Sequence, residues 1–329
     1  MITTVYVEEE VREHPRVRAI CRRLPKAVRI ACRRYGEIFN RRGQSFRLQK
    51  RQPALILAAK RRPRVLETPA GYGVGGERNY YFSHLLNCPY DCRYCFLQGM
   101  YRSAHYVLFV NYEDFFDEVA EIAGAAAGES WFFSGYDCDS LALEPLTGFA
   151  AAALDRFRRL PAARLELRTK SVQLAPLRAR PPLANVVVAF SLTPEGIWRD
   201  LEHGVPGVER RLAAMAELAR RGWRLGLRFD PLIYRRDFAA RYDELFARVF
   251  AALPLASIHS VSLGPFRLPR PFFKNLLRHY PDEPLLAGPL AEHDGMISYR
   301  HELEREMVGA VTASLLRHVP RERFFPCAA

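Results

Sequence analysis

Residues 163–192 read ARLELRTKSVQLAPLRARPPLANVVVAFSL, and two segments of this stretch decide the fold. ARLELRTKS has the make-up of a strand. NVVVAFSL (185–192) is a second strand, and its apolar, β-branched density is that of a parallel strand buried on both faces. The pattern recurs in both directions. Downstream, PGVERRLAAMAELARRG predicts a helix with a glycine stop, WRLGLRFDPLI a strand, YDELFARVFAAL a helix and IHSVSLGPF a strand. Upstream, RNYYFSHLL predicts a strand, NYEDFFDEVAEIAGAAAG an amphipathic helix, SWFFSG a short strand and EPLTGFAAAALDRFRRL a helix. Strands that alternate with helices imply a parallel sheet. The expected fold class is α/β, a partial (β/α)6 TIM-like barrel over residues 76–290.

Two flanking segments complete the organisation. Residues 1–75 are expected to form a basic, mostly helical N-terminal segment, because CRRLPKAVRIACRRYGEIFNRRG carries apolar residues near helical spacing and Gly43 supplies a stop. Residues 291–329 include HELEREMVGAVTASLLRHV and are expected to be helical. The glycine-rich GYGVGGE (71–77) neither follows a clear strand nor opens a helix, so it reads as a linker rather than a dinucleotide-binding turn.

Composition narrows the function classes. The chain has 49 Lys+Arg against 36 Asp+Glu, a net charge of +13, and much of the excess lies in residues 11–64. A polyanionic partner, DNA above all, fits that balance. No secretory h-region opens the sequence, and no apolar run reaches the roughly 18 residues of a membrane span. A cytoplasmic location, with no membrane association, is the expectation. The seven cysteines are an odd number, which argues against a disulfide framework.

Three of those cysteines fall within eight residues, in NCPYDCRYCFLQG (87–99). Cys88, Cys92 and Cys95 are separated by three and then two residues. Thiolates are natural ligands for iron–sulfur clusters, and a short loop lets three of them wrap one cubane. The missing fourth thiolate leaves one iron open to a small molecule. Two other readings stand beside this one: a zinc site with a remote fourth ligand such as His84 or His105, and three unligated buried thiols. Active sites of parallel α/β proteins gather at the C-terminal ends of strands. The cysteine loop, Ser134–Gly135, Lys170, Ser191 and Asp230–Pro231 all sit at predicted strand ends.

CX3CX2C with an aromatic residue, Tyr94, before the last cysteine is the signature of the radical S-adenosylmethionine superfamily. The wider stretch SHLLNCPYDCRYCFLQGMY…FVNYEDF resembles the spore photoproduct lyase family. So do ELRTKS, AFSLTPEGI, LEHGVPGVERRLAAMAELARRGWRLGLRFDPLI and the FRLP segment near 266. The resemblance runs from about residue 78 to about 300. It implies a [4Fe–4S] cluster on Cys88, Cys92 and Cys95 whose open iron chelates S-adenosyl-L-methionine. One electron, from a donor such as a flavodoxin or ferredoxin, then yields a 5′-deoxyadenosyl radical. In the family that radical takes a hydrogen from a thymine dimer lesion in DNA, which splits back to two thymines, and a cysteine returns a hydrogen. The alternative is a radical S-adenosylmethionine enzyme acting on a different nucleic-acid or small-molecule substrate.

The resemblance also implies roles for single residues. Lys170 and Ser191 match cofactor-contacting residues. Ser134–Gly135 occupies the place of backbone groups that meet the methionine amine, although the usual Gly-Gly-Glu pattern is absent. Tyr94 matches a tyrosine linked to returning the radical to the cofactor; at the second such position this chain has Phe96, which has no phenolic hydrogen. In SGYDCDSLALEPLTG, ungapped alignment places Tyr136 where the family has its donor cysteine, and Cys138 two residues later, where a serine is usual. The donor role therefore falls to Cys138 or to Tyr136. Tyr299 matches a family tyrosine near the substrate, and the arginine that precedes it is here Ser298.

Overall fold

The computed structural model describes residues 2–69, 71–125 and 128–327. Among the described residues, eight strands form one curled sheet, and their order in space is their order along the chain. They are β1 (Val65–Glu67), β2 (Arg78–Phe82), β3 (Ser130–Ser134), β4 (Ala163–Thr169), β5 (Val186–Ser191), β6 (Arg224–Leu232), β7 (Ile258–Pro265) and β8 (Phe324–Pro326). β1 and β2 pair antiparallel; every later pairing is parallel. The expected partial barrel is borne out, with β1 and β8 added at its edges.

The helices that connect these strands lie against one face. Tyr112–Gly124, Phe149–Phe157, Val208–Arg220 and Phe238–Ala252 each bury one apolar side. The opposite face lines the inside of the half-barrel, and period-two alternation decides which residues reach it. On β4 these are Glu166, Arg168 and, just past its end, Lys170. The register sets Glu166 beside Val187 and Arg168 beside Ala189, so Ser191 ends β5 on the same face as Lys170. Ser191 in turn pairs with Arg228.

That interior is charged. Arg228 and Glu166 are fully buried at 2.5 Å, Arg228 also donates to Ser260 Oγ at 2.9 Å, and Arg168 approaches Glu166 at 3.0 Å. Burial alone would raise the Glu166 carboxyl; Arg228 and Arg168 outweigh it and hold its pKa down at about 2. Gly226 leaves the room this requires, since a Cβ there would lie 2.8 Å from Arg228 Nη2.

The N-terminal segment differs from the helical expectation. It holds the helix Pro15–Arg23, but Thr4–Glu8, Val28–Cys32 and Leu55–Ala58 are strands. They form a five-stranded sheet completed by Tyr106–Phe109 and Leu85–Leu86, which come from beyond residue 75. VRIAC and LILA are β-branched or apolar runs too short for a helix, and non-local pairing overrides the helical spacing. The C-terminal segment likewise holds more than the helix His301–Leu315. Leu290–His293 and Met296–Tyr299 form a hairpin, and the chain then returns to the half-barrel as β8. No helix among the described residues is long and apolar enough to cross a membrane.

Candidate active site

The cysteine loop leaves the C-terminal end of β2 and is tied down by polar contacts on every side. Asn87 takes a positive φ of 68° and donates through Nδ2 to the carbonyls of Ser103 and His105 at 2.8 and 2.7 Å. Lys50 Nζ donates to the carbonyls of Cys88 and Tyr90, both at 2.9 Å. Asp91–Cys92 pairs antiparallel with Glu202–His203. Tyr280 donates toward Asp91 and Gln98, and Arg93 lies over its ring at 3.8 Å.

Cys92 is buried, and Cys88 and Cys95 are half-buried. Burial pushes all three thiols up, Cys88 to about 12, and each is raised further by its neighbours, while Lys50 and Lys170 oppose the shift. Three sulfurs facing two ammonium groups suit an anionic iron–sulfur cluster, which supplies the positive iron that thiolates require. A tetrahedral zinc needs donors about 2.0–2.3 Å from one point, and among the described residues no three of His, Cys, Asp or Glu gather to hold a single ion. His84 stacks on Phe149 at 3.5 Å and is held neutral by burial. His105 Nδ1 accepts from the Ala54 N–H. His84 Nδ1 is buried without a hydrogen-bond partner among the described residues, but His84 does not gather with two other donors around one point, so the donor set favours the cluster.

Sequence reading left out the network beneath this loop. Tyr94 donates its hydroxyl to Glu202, which also accepts from Thr193 Oγ1 at 3.0 Å and from Arg211 at 2.9 Å. Arg211 and Glu202 are fully buried, and Arg211 also donates to the Ser191 carbonyl at 2.7 Å. Burial alone would raise the Glu202 carboxyl; Arg211 and then Lys170 bring it below the ordinary carboxylate range. Tyr94 is thereby fixed, with Lys170 Nζ 5.6 Å from its ring centre. Asp139 does comparable work at β4. It accepts from Thr169 Oγ1 and the Lys170 N–H, both at 2.6 Å, and from the N–H groups of Leu141 and Ala142. Neither Glu202 nor Asp139 carries a motif that marks it, since their partners lie up to 108 positions away along the chain.

A cavity opens at the same strand ends. Its wall includes Tyr72, Gly73, Ser134, Gly135, Tyr136, Arg168, Asp230, Ser262 and Cys327. Ser134 Oγ accepts from Ser140 Oγ at 3.2 Å, and Asp230 accepts from Ser262 at 2.7 Å. Gly135 has φ 93°, and a Cβ there would sit 2.7 Å from Ser140 Oγ and 2.8 Å from the Arg168 carbonyl. The GYGVGGE segment, read as a linker, therefore supplies one wall. Tyr136 packs on Tyr81 at 4.5 Å and on Phe96 at 5.6 Å, so Phe96 connects the cysteine loop to the cavity.

Of the expected residues, Ser134, Gly135 and Tyr136 are on the cavity wall; Cys88, Cys92, Cys95, Tyr94, Lys170, Ser191, Cys138 and Tyr299 are not. Cys138 is buried outside the cavity wall, where burial first and then Cys88 push its thiol up. Tyr299 is buried against Tyr234 and Phe266, and its hydroxyl accepts from the Tyr234 N–H at 2.8 Å. Ser298 donates to the Phe266 carbonyl at 2.7 Å. The basic N-terminal charge is partly spent inside the molecule: Arg16 pairs with Glu113, Arg34 with Glu8 and Arg64 with Asp114.

A curled half-barrel with a three-cysteine loop at the C-terminal end of an early strand, and lysine and serine at neighbouring strand ends, defines the class as a cysteine-loop half-barrel protein. A family model described as spore photoproduct lyase matches residues 78–286. The chain belongs to the spore photoproduct lyase family. It is 24% identical over 198 residues to the spore photoproduct lyase of Bacillus subtilis (strain 168), covering 59% of this chain and 58% of that protein. It is 26% identical over 200 residues to the enzyme of the same name from Geobacillus sp. (strain Y412MC61), with the same coverage. The matched region thus spans somewhat over half the length of these curated relatives. Among solved structures, a spore photoproduct lyase double mutant with bound AdoMet and dinucleoside spore photoproduct superposes with a TM-score of 0.86 at 17% identity, covering 100% of this chain and 98% of the other. At that identity the likeness is one of fold.

Proposed function

We propose that this chain is a radical S-adenosylmethionine lyase that reverses a spore-photoproduct thymine dimer in DNA. The observation that carries the reading is the shared end of the half-barrel. The cysteine loop, Lys170 and Ser191 lie at strand ends beside a cavity lined by Ser134, Gly135 and Tyr136, and Phe96 of the loop packs on Tyr136. Cys88, Cys92 and Cys95 would hold the [4Fe–4S] cluster, and Ser134–Gly135, Lys170 and Ser191 would surround S-adenosyl-L-methionine on its open iron. Bound there, the pair supplies a 5′-deoxyadenosyl radical when an electron donor such as a flavodoxin or ferredoxin reduces the cluster.

The remaining work belongs to the protein. Lys170 places a cation at the cofactor end of β4, and its backbone is fixed by Asp139. The positive φ and absent side chain at Gly135 keep the turn after β3 open to a ligand. The rings of Tyr81 and Phe96 pack on Tyr136 between loop and cavity. DNA as partner is supported by the net charge of +13 and by the family. The internal pairing of several N-terminal arginines predicts a modest salt slope for binding.

The test is anaerobic reconstitution with iron and sulfide, followed by dithionite, S-adenosyl-L-methionine and the dinucleotide lesion. Thymine release that is lost in a Cys88→Ala, Cys92→Ala, Cys95→Ala variant supports the reading. Formation of 5′-deoxyadenosine without lesion reversal removes this substrate and favours a radical enzyme acting on another one.

A further inference from the structure

Seven cysteines are described, and each can be followed to its surroundings. Cys88, Cys92 and Cys95 form the loop. Cys21 and Cys32 are buried in the N-terminal part of the fold, where Burial first and Glu8 next raise the Cys32 thiol. Cys138 is buried off the cavity wall. Cys327 alone among them lines the cavity, together with Tyr136 and Ser134.

The fold delivers Cys327 there by a specific route. β8 pairs parallel with β7, setting Leu263 beside Pro326, and the Cys327 N–H donates to the Leu263 carbonyl at 2.9 Å. That places Cys327 at the C-terminal end of the eighth strand, level with the other strand-end residues. Gly264 makes the approach possible, because a Cβ at that position would meet Cys327 Cβ at 2.9 Å and its carbonyl oxygen at 3.0 Å. The sulfur is also held. Arg267 Nη2 lies 3.5 Å from Cys327 Sγ and 2.9 Å from the Tyr72 hydroxyl, so one nitrogen ties the thiol to a phenol of the same cavity wall. Arg267 Nη1 is buried without a hydrogen-bond partner among the described residues.

We propose that Cys327 is the residue that returns a hydrogen atom to the substrate radical in this cavity. The proposal rests on the lyase reading above and moves the donor role away from both Cys138 and Tyr136. In the step, a substrate C–H bond forms as the Cys327 S–H bond breaks, one hydrogen atom moves, and the unpaired electron stays on sulfur. The methyl group of the 5′-deoxynucleoside left by the first abstraction then gives one hydrogen back to the Cys327 sulfur: its C–H bond breaks as the S–H bond re-forms, and the unpaired electron passes to the nucleoside carbon, so the thiol is restored without an external oxidant. Burial holds the Cys327 thiol up at about 11, so the sulfur carries its hydrogen at neutral pH, as donation of an atom requires. Tyr72 and Arg267 are positioning residues that fix the direction of the S–H bond.

The experiment compares reconstituted wild type with Cys327→Ser, Cys138→Ser and Tyr136→Phe in D2O, following 5′-deoxyadenosine, thymine release and deuterium in the thymine. A thiol exchanges with solvent, so its donated atom is deuterium. The expected result is that Cys327→Ser still forms 5′-deoxyadenosine, while deuterated product falls by on the order of 100-fold or more. Cys138→Ser should keep the label, and Tyr136→Phe, on the cavity wall, should keep the deuterium per thymine released whatever happens to its rate. Retained label in Cys327→Ser, or its loss in Cys138→Ser alone, overturns the assignment. A second measurement needs no turnover: iodoacetamide alkylation of Cys327 in the reconstituted protein, read by peptide mass spectrometry, should be slowed by the dinucleotide lesion. Absence of that protection removes Cys327 from the substrate site whatever the activity. Protection with no lesion reversal by wild type overturns the lyase reading and the donor role together, whereas reversal without dependence on Cys327 overturns the donor alone.

Discussion

Replacing Arg211 by methionine should damage this protein more than any surface change, and the reason lies in the buried network under the cysteine loop. Arg211 and Glu202 are both fully buried, at 2.9 Å. Arg211→Met keeps most of the volume but leaves the carboxylate with only the hydroxyls of Tyr94 and Thr193, and leaves the Ser191 carbonyl without its 2.7 Å donor. Removing one member of a buried pair costs about 3–5 kcal/mol, because the remaining charge stays desolvated. Part of that loss is relieved if Glu202 takes up a proton, at about 1.4 kcal/mol per pH unit, so the loss should grow as pH rises. The assay is urea unfolding followed by far-ultraviolet circular dichroism at pH 6 and pH 8. Adding Glu202→Gln to the variant removes the stranded charge and should restore most of the stability. Because Glu202 pairs with Cys92 across the short ladder, the single variant should also bind less iron after reconstitution. A loss below about 1 kcal/mol, or a double variant no more stable than the single one, would refute the reasoning.

Three further outcomes are expected. The Glu166 carboxyl sits at about 2 against an ordinary 4.5, so its contribution to stability is complete above about pH 4.5 and is lost as pH falls toward 2; Glu166→Gln should flatten acid unfolding in that window, as followed by fluorescence. Gly135→Ala meets both a positive φ and contacts of 2.7 and 2.8 Å. It should cost about 1–3 kcal/mol, and isothermal titration should show weaker S-adenosyl-L-methionine binding to the reconstituted protein. Asn87→Ala removes two donors from the carbonyls of Ser103 and His105; a cost of about 1–3 kcal/mol and a lower iron content on reconstitution are expected, by unfolding and iron assay.

The sequence by itself determined the parts whose signals are local. The half-barrel is legible because NVVVAFSL and its neighbours alternate with helices at short range. The cysteine loop is legible because its three sulfurs lie within eight residues. Lys170 and Ser191 could be placed at strand ends from the chain alone, whereas their shared face follows from the pairing register. What only the tertiary structure decided depends on contacts between distant positions. The segments VRIAC and LILA are strands because both pair with Thr4–Glu8 and LILA also pairs with Tyr106–Phe109, an arrangement that helical spacing does not encode. Glu202, Arg211, Asp139 and Lys50 have no motif, and their roles exist only once burial forces each polar group to find a partner. Cys327 is the clearest case. In the sequence it is a solitary thiol near the C-terminal end, and it reaches the cavity because β8 closes the sheet and Gly264 leaves space for it.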